Sequence, residues 1–264
     1  MTDLSKLTSP EAAACFQPRS IVIVPIGSTE PHGPHLPLDT DVTIALAQAR
    51  RAAELLRERG VPAFVAPPIA YGVTNYTEGF PGRVSLRPGT LWALVEDVLR
   101  ALEQEGVRQI VLVNGHLEPA HVEVLRGVVL DHAVRSEQRA EAVLVDVTRR
   151  KNAARLGAEF QSGDCHAGSY ETSLVQHADP TAVRERERAT LPPVKIDLIA
   201  KMKQGITTFA AAGATQAYCG APSEANAETG RALTETLAHL VVEEAQERWP
   251  TLFPDRGAER NQNS

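Results

Sequence analysis

Residues 27–41 bring Glu30, His32, His35, Asp39 and Asp41 together on a stretch that also holds three prolines and two glycines. Carboxylates and imidazoles clustered on a stiff turn are divalent-metal chemistry. Oxygen ligands alone suit magnesium or calcium, whereas mixed imidazole and carboxylate suits zinc, manganese or iron. Two further clusters carry the same residue types. One is Asn114-Gly115-His116-Leu117-Glu118, and the other runs from Asp164 through Cys165, His166 and Gly168 to Glu171 and Ser173. The first two clusters alone supply the inventory of a two-metal hydrolytic site, in which cations ~3.5–4 Å apart activate a shared water.

Each residue also has a plainer reading. Asp39 fits a helix N-cap, and Glu118 a first-turn acid stabilised by the helix dipole. Glu171 fits a solvated helical face, Cys165 a small buried hydrophobe, and His35 a packing residue or a partner that orients a ligand. The combination of clusters, each beside a predicted element end, favours the metal.

The elements that must position these groups follow from hydrophobic patterning. Continuous apolar runs at Ile21–Ile26 and residues 63–66, 109–113 and 142–147 read as strands buried on both faces. Between and after them, residues 41–59, 90–104, 119–134, 171–178 and 227–248 read as helices. The βαβα order predicts an α/β fold, a single three-layer α/β/α domain with a mostly parallel central sheet, over residues 1–256. Residues 257–264 read as a polar, frayed tail. In such a sheet the site lies beyond the carboxyl ends of the strands, where the clusters and the glycine-bearing loop of residues 71–82 are expected. A connection as long as residues 67–88 is usually functional.

The chain has 264 residues, 43% hydrophobic and 23% charged, with a formal net charge of −6. No basic run marks a nucleic-acid footprint, and the apolar stretches are far short of a membrane span. With no apolar signal region near the N-terminus, the expected location is cytoplasmic. Three widely spaced cysteines, Cys15, Cys165 and Cys219, predict neither a disulfide framework nor a Cys-x-x-Cys metal site.

Four motifs in register carry a resemblance: Gly27-Ser28-Thr29-Glu30-Pro31-His32-Gly33-Pro34-His35 with Asp41; Phe80-Pro81-Gly82-Arg83-Val84-Ser85-Leu86; Asn114-Gly115-His116; and His166-Ala167-Gly168 with Glu171-Thr172-Ser173. The chain resembles the creatininase family of metal-dependent amidohydrolases. The resemblance implies two divalent ions per chain, zinc and/or manganese with iron as an option. It implies Glu30 and His116 on one ion, His32 and Glu171 on the other, and Asp41 bridging. Glu118 is then the general base or a metal-side carboxylate, and His166 relays the proton to the leaving nitrogen. Thr74, Arg83, Leu117 and Asp164 are expected to touch substrate. The family is usually hexameric, so a homo-oligomer is expected.

The implied reaction is hydrolysis of a C–N bond in a small amide. Creatinine is the first candidate. A formamide on a ribosylaminopyrimidine and the C-terminus of a cofactor-precursor peptide are the alternatives. Creatininase itself has tyrosine where this chain has Leu117. No tryptophan precedes His166, since Trp92 and Trp249 lie outside the motifs. Both departures argue against creatinine, and Arg83 near the site would favour an anionic substrate. A two-metal phosphoesterase would need a phosphate cradle, and no Gly-x-x-x-x-Gly-Lys-[Ser/Thr] occurs. A non-catalytic dinucleotide-binding domain would need Gly-x-Gly-x-x-Gly after a strand, which is also missing.

Overall fold

The four apolar runs pair into one sheet. A computed structural model describes residues 3–135 and 140–254; the tail at 257–264 lies outside the described residues. Strands β1 (Ile21–Ile26), β2 (Ala63–Val65), β3 (Gln109–Asn114) and β4 (Glu141–Val145) run all parallel in the order β2-β1-β3-β4. The register sets Ile21 beside Ala63 and Gln109, and Gln109 beside Glu141. Pro25 sits in the central strand without a backbone donor. Its carbonyl accepts from Ile69 N–H on the β2 side, past the end of β2, so the missing N–H costs no ladder bond between strands.

Helices in chain order are α1 (Ser9–Cys15), α2 (Thr40–Glu58), α3 (Pro88–Gln104), α4 (Pro119–Val134), α5 (Arg150–Ala153), α6 (Ala158–Ser162), α7 (Ser169–Ala178), α8 (Glu185–Arg188), α9 (Leu198–Lys203), α10 (Phe209–Ala212) and α11 (Ala227–Arg248). Alternate residues of the central strands enter opposite cores. Ile21, Ile23, Val111 and Val113 pack with α2, α7 and α11 through Ile44, Ala49, Leu174 and Val241. Val22, Val24, Ile110 and Leu112 pack with α3 and α4 through Leu91, Leu99, Leu125 and Val128. Each such side chain stabilises the fold by ~1.5–3 kcal/mol, which is why these strands read as unbroken apolar runs. The result is the expected three-layer α/β/α arrangement. No helix among the described residues is long and apolar enough to cross a membrane.

The patterning predicts no element between residues 179 and 226, yet short pieces form there. They build a third, small apolar cluster from Leu198, Phe209, Ala214 and Cys219, with Tyr76, Ile196 and Met202 packed on it. Helices of four to six residues are too short to show a period, so sequence reading misses them. This segment forms a cap, pinned by the Asp164 carboxylate. Asp164 accepts the backbone N–H groups of Ile196, Asp197 and Leu198 at 2.9–3.1 Å.

Candidate metal centre

Glu30 and His32 follow β1, His116 follows β3, and Asp41 lies in the first turn of α2. The helix start is wedged between two glycines. A Cβ on Gly27 would stand 2.6 Å from Val42 N, and one on Gly115 would stand 2.2 Å from Asp41 O. Only bare backbone permits so close an approach. Asp41 thereby reaches both strand ends.

The cluster is almost dry: Glu30, His32, Asp41, His116 and Glu171 are each at most 4% exposed. His32 Nδ1 lies 3.0 Å from Glu30 O, and His116 Nε2 lies 2.7 Å from Val73 O. A carbonyl only accepts, so each of these ring nitrogens donates, and the opposite nitrogen is left to the carboxylates. His32 Nε2 faces Asp41 Oδ1 at 3.1 Å and Glu171 Oε2 at 3.5 Å. His116 Nδ1 faces Glu30 Oε1 and Asp41 Oδ2, each at 3.0 Å. His32 Nε2 is buried yet makes no hydrogen bond of proper geometry among the described residues. A basic nitrogen fixed by its neighbour and aimed between carboxylates fits a cation.

Two groups of donor atoms within 4.8 Å of one another share Asp41: Glu30, Asp41 and His116, and His32, Asp41 and Glu171. A third contains Glu30, His32 and His166. The carboxylates are themselves held. Ser28 Oγ donates to Asp41 Oδ2 at 2.8 Å, Thr77 Oγ1 donates to Glu30 Oε2 at 3.1 Å, and Thr74 Oγ1 donates to that same Glu30 oxygen.

His166 lies in the loop into α7 and Glu171 in the first turn of α7; that loop follows a helix rather than a strand, contrary to the strand-end expectation for this cluster. Ala167, between them, takes the left-handed conformation with φ 50°. That costs a non-glycine residue free energy and bends the loop tightly. Glu171 Oε2 accepts Ala167 N–H at 2.7 Å, and His166 Nε2 donates to Pro31 O at 3.0 Å. The His166 ring meets the His32 ring, tilted by 36° with centroids 4.4 Å apart, and the Phe209 ring, nearly parallel at 18° with centroids 4.2 Å apart. Glu118 caps α4, but its Oε2 accepts the N–H groups of Asn75 and Tyr76 at 2.6 and 3.1 Å.

Burial and mutual charge set the titration of the cluster. Burial alone would lower His32, but the Asp41 carboxylate, with Glu171 and Glu30, raises it to about 10. His116 is raised well above its usual value against the same burial penalty, by Glu30 and Asp41. Burial raises Glu171 to about 8, and burial also raises Glu118. His166 falls to about 4 through burial and the charge on His32. His32, at about 10, and Glu171, at about 8, hold protons at pH 7 that a cation must displace, and the carboxylates shift His116 in the same direction. Metal uptake at pH 7 is therefore expected to release ~2–3 protons per chain and to tighten as pH rises. Calorimetric titration of the metal-free protein with zinc, in buffers of different ionisation enthalpy, measures this; heats independent of the buffer would refute it.

A cavity of about 250 Å³ opens onto the cluster. Glu30, Asp41, His116, Glu118, His166 and Glu171 line its polar end. Leu117, Phe160, Leu198, Ile199, Met202 and Phe209 are among its apolar lining. Leu117 is thus at the pocket. The other three residues expected to touch substrate are not among the pocket residues. Thr74 is fully buried behind Glu30. Asp164 spends its carboxylate on the cap backbone. Arg83 Nη1 donates to Thr74 O at 3.1 Å and is not among the pocket residues. His35 bonds Thr172 Oγ1 at 2.9 Å and joins none of the donor groups. Asp39 is the N-cap of α2 by position, without a side-chain capping bond.

Residues 5–245 match the family model described as creatinine amidohydrolase. The chain belongs to the creatininase family. Creatininase-family enzymes similar to it include a mycofactocin precursor peptide peptidase from Mycolicibacterium smegmatis, 35% identical over 89% of this chain and 87% of that protein. A creatinine amidohydrolase from Pseudomonas putida is 29% identical, covering 67% of this chain and 73% of the other. A solved manganese creatininase superposes with a TM-score of 0.69 at 24% identity, over 94% of this chain and 99% of that one, which establishes the shared fold. As a creatininase-family member the chain is a hydrolase acting on carbon–nitrogen bonds.

Proposed function

We propose that this hydrolase cleaves an amide flanked by an apolar group, a peptide bond in a short precursor peptide rather than creatinine. The apolar pocket ending on the carboxylate–imidazole cluster carries this reading: beyond the cluster, its lining suits a hydrophobic side chain. The relationship to a precursor-peptide peptidase supports it. The domain is set at residues 1–256, with the protein working in the cytoplasm as a homo-oligomer.

In this reading Glu30 and His116 would hold one divalent ion and His32 and Glu171 a second, and Asp41, common to both donor groups, would serve either. Zinc or manganese suits these donors, and manganese is named for the solved relative. When bound, such ions supply Lewis acidity and a water that ionises near neutral pH. The chain's own groups handle the protons. Glu118, at the pocket and raised by burial, takes a proton as general base. His166 donates Nε2–H to Pro31 and so keeps Nδ1 as its basic nitrogen, with which it carries a proton to the leaving amine.

The test is mass spectrometry of the metal-loaded enzyme with creatinine, a formylated aminopyrimidine and N-acetyl-trileucine. Cleavage of the peptide is expected, and turnover of creatinine alone would sink the peptide reading. His166→Ala is expected to keep its metal content and lower kcat by ~10²–10⁴, the range for a positioned acid–base group. Loss of a metal in that variant would make His166 a ligand, as its grouping with Glu30 and His32 allows.

A further inference from the structure

The imidazole of His166 touches two rings. His32 is tilted against it by 36° with centroids 4.4 Å apart, and Phe209, nearly parallel at a centroid distance of 4.2 Å, is stacked on it. Phe209 is 43 positions further along the chain and opens the short helix α10 of the cap. Its own position is fixed three ways. Its backbone N–H donates to Tyr76 O at 2.7 Å. Its ring meets the Tyr76 ring edge-on, with centroids 5.7 Å apart. Thr208 caps the helix it starts, accepting Ala211 N–H at 3.2 Å. Tyr76 is tied in turn, by its N–H to Glu118 and its hydroxyl to Ile206 O.

A single hydrogen bond from Nε2 to Pro31 O leaves an imidazole free to swing about that bond. A flat aromatic face stacked on the ring removes this freedom and excludes water from it. We propose that Phe209 is a positioning residue: its ring holds the His166 imidazole in the plane from which it delivers a proton to the leaving nitrogen. This rests on the reading of His166 as the proton carrier. It gives the cap a task beyond closing the pocket, because the cap and the general base Glu118 are joined through Tyr76.

Two readouts test it. Ring current from a stacked Phe209 moves the His166 ring-proton resonances upfield in the NMR spectrum of the wild type. Phe209→Leu is expected to return them toward the values of an unstacked histidine, with metal content unchanged. On N-acetyl-trileucine, Phe209→Leu is expected to lower kcat about tenfold or more, and Phe209→Tyr, which keeps the ring face, to restore most of it. In a His166→Ala background the same Leu substitution should have little further effect on kcat, since groups acting as a unit are not additive. If the effect of Phe209→Leu is confined to KM, or persists undiminished without His166, Phe209 is only a pocket wall and the positioning role is overturned. If His166→Ala alone leaves kcat unchanged, the proton-carrier reading fails and the positioning role with it, by a different signature. Should Phe209→Leu fail to fold, Phe209→Met, flexible and better able to fill the gap, takes its place in the same comparisons.

Discussion

Asp41→Ala is expected to abolish metal binding and hydrolysis together while the fold survives. Asp41 is common to both donor groups that enclose its neighbours. Its Oδ1 faces His32 and its Oδ2 faces His116. Removing it leaves one carboxylate and one imidazole in each group, too few to outcompete water and protons for a cation. The helix does not depend on it: α2 is anchored by Ile44, Ala49 and Leu56 in the core, and alanine is the best helix former. Elemental analysis, far-UV circular dichroism and turnover, measured on one preparation, check all three parts. A variant that keeps two ions per chain would show that Asp41 is no bridge.

Glu171→Gln and Glu118→Gln should separate binding from turnover. Glu171 shares a donor group with His32 and Asp41, whereas Glu118 is in none among the described residues. Glutamine at 171 removes the negative charge but retains an oxygen that can accept Ala167 N–H, so the loop into α7 should hold while one metal position weakens. Glutamine at 118 can still accept from Asn75 and Tyr76, so the pocket should keep its shape and both positions should fill. What is lost is a proton acceptor, and kcat should fall by ~10²–10⁴. Stoichiometry beside kcat decides. If Glu118→Gln loses a metal and Glu171→Gln keeps both, the two roles must be exchanged.

Much of the architecture was legible because of where the strands lie. β1 and β3 are covered on both faces, so burial imposes unbroken apolar runs. Glu30, His32, Asp41 and His116 could be read beside them because strand ends are where an open sheet gathers side chains. The loop from residue 163 to 168 was harder. Nothing in its composition announces the positive φ of Ala167 that turns His166 and Glu171 toward residues placed far earlier in the chain. Tyr76 and Phe209 were missed for a related reason: each works through contacts remote in sequence, from segments too short or irregular to carry a period. For Thr74, nearness to a glycine-bearing loop does not reveal which way its hydroxyl points. It points inward, at Glu30.

The wedge formed by Gly27 and Gly115 bears on any attempt to transplant this centre. A designer who copied Glu30, His32, Asp41, His116 and Glu171 onto another parallel sheet would copy every donor atom and still miss the frame. The distance between the two donor groups is set by how far the first turn of a helix can slide between two strand ends, and that depth is fixed by two side chains that are not there. A scaffold with alanine at either position would hold its helix back, and the shared carboxylate would fall short of one group. The portable unit is therefore the pair of bare backbone turns together with the helix start they admit.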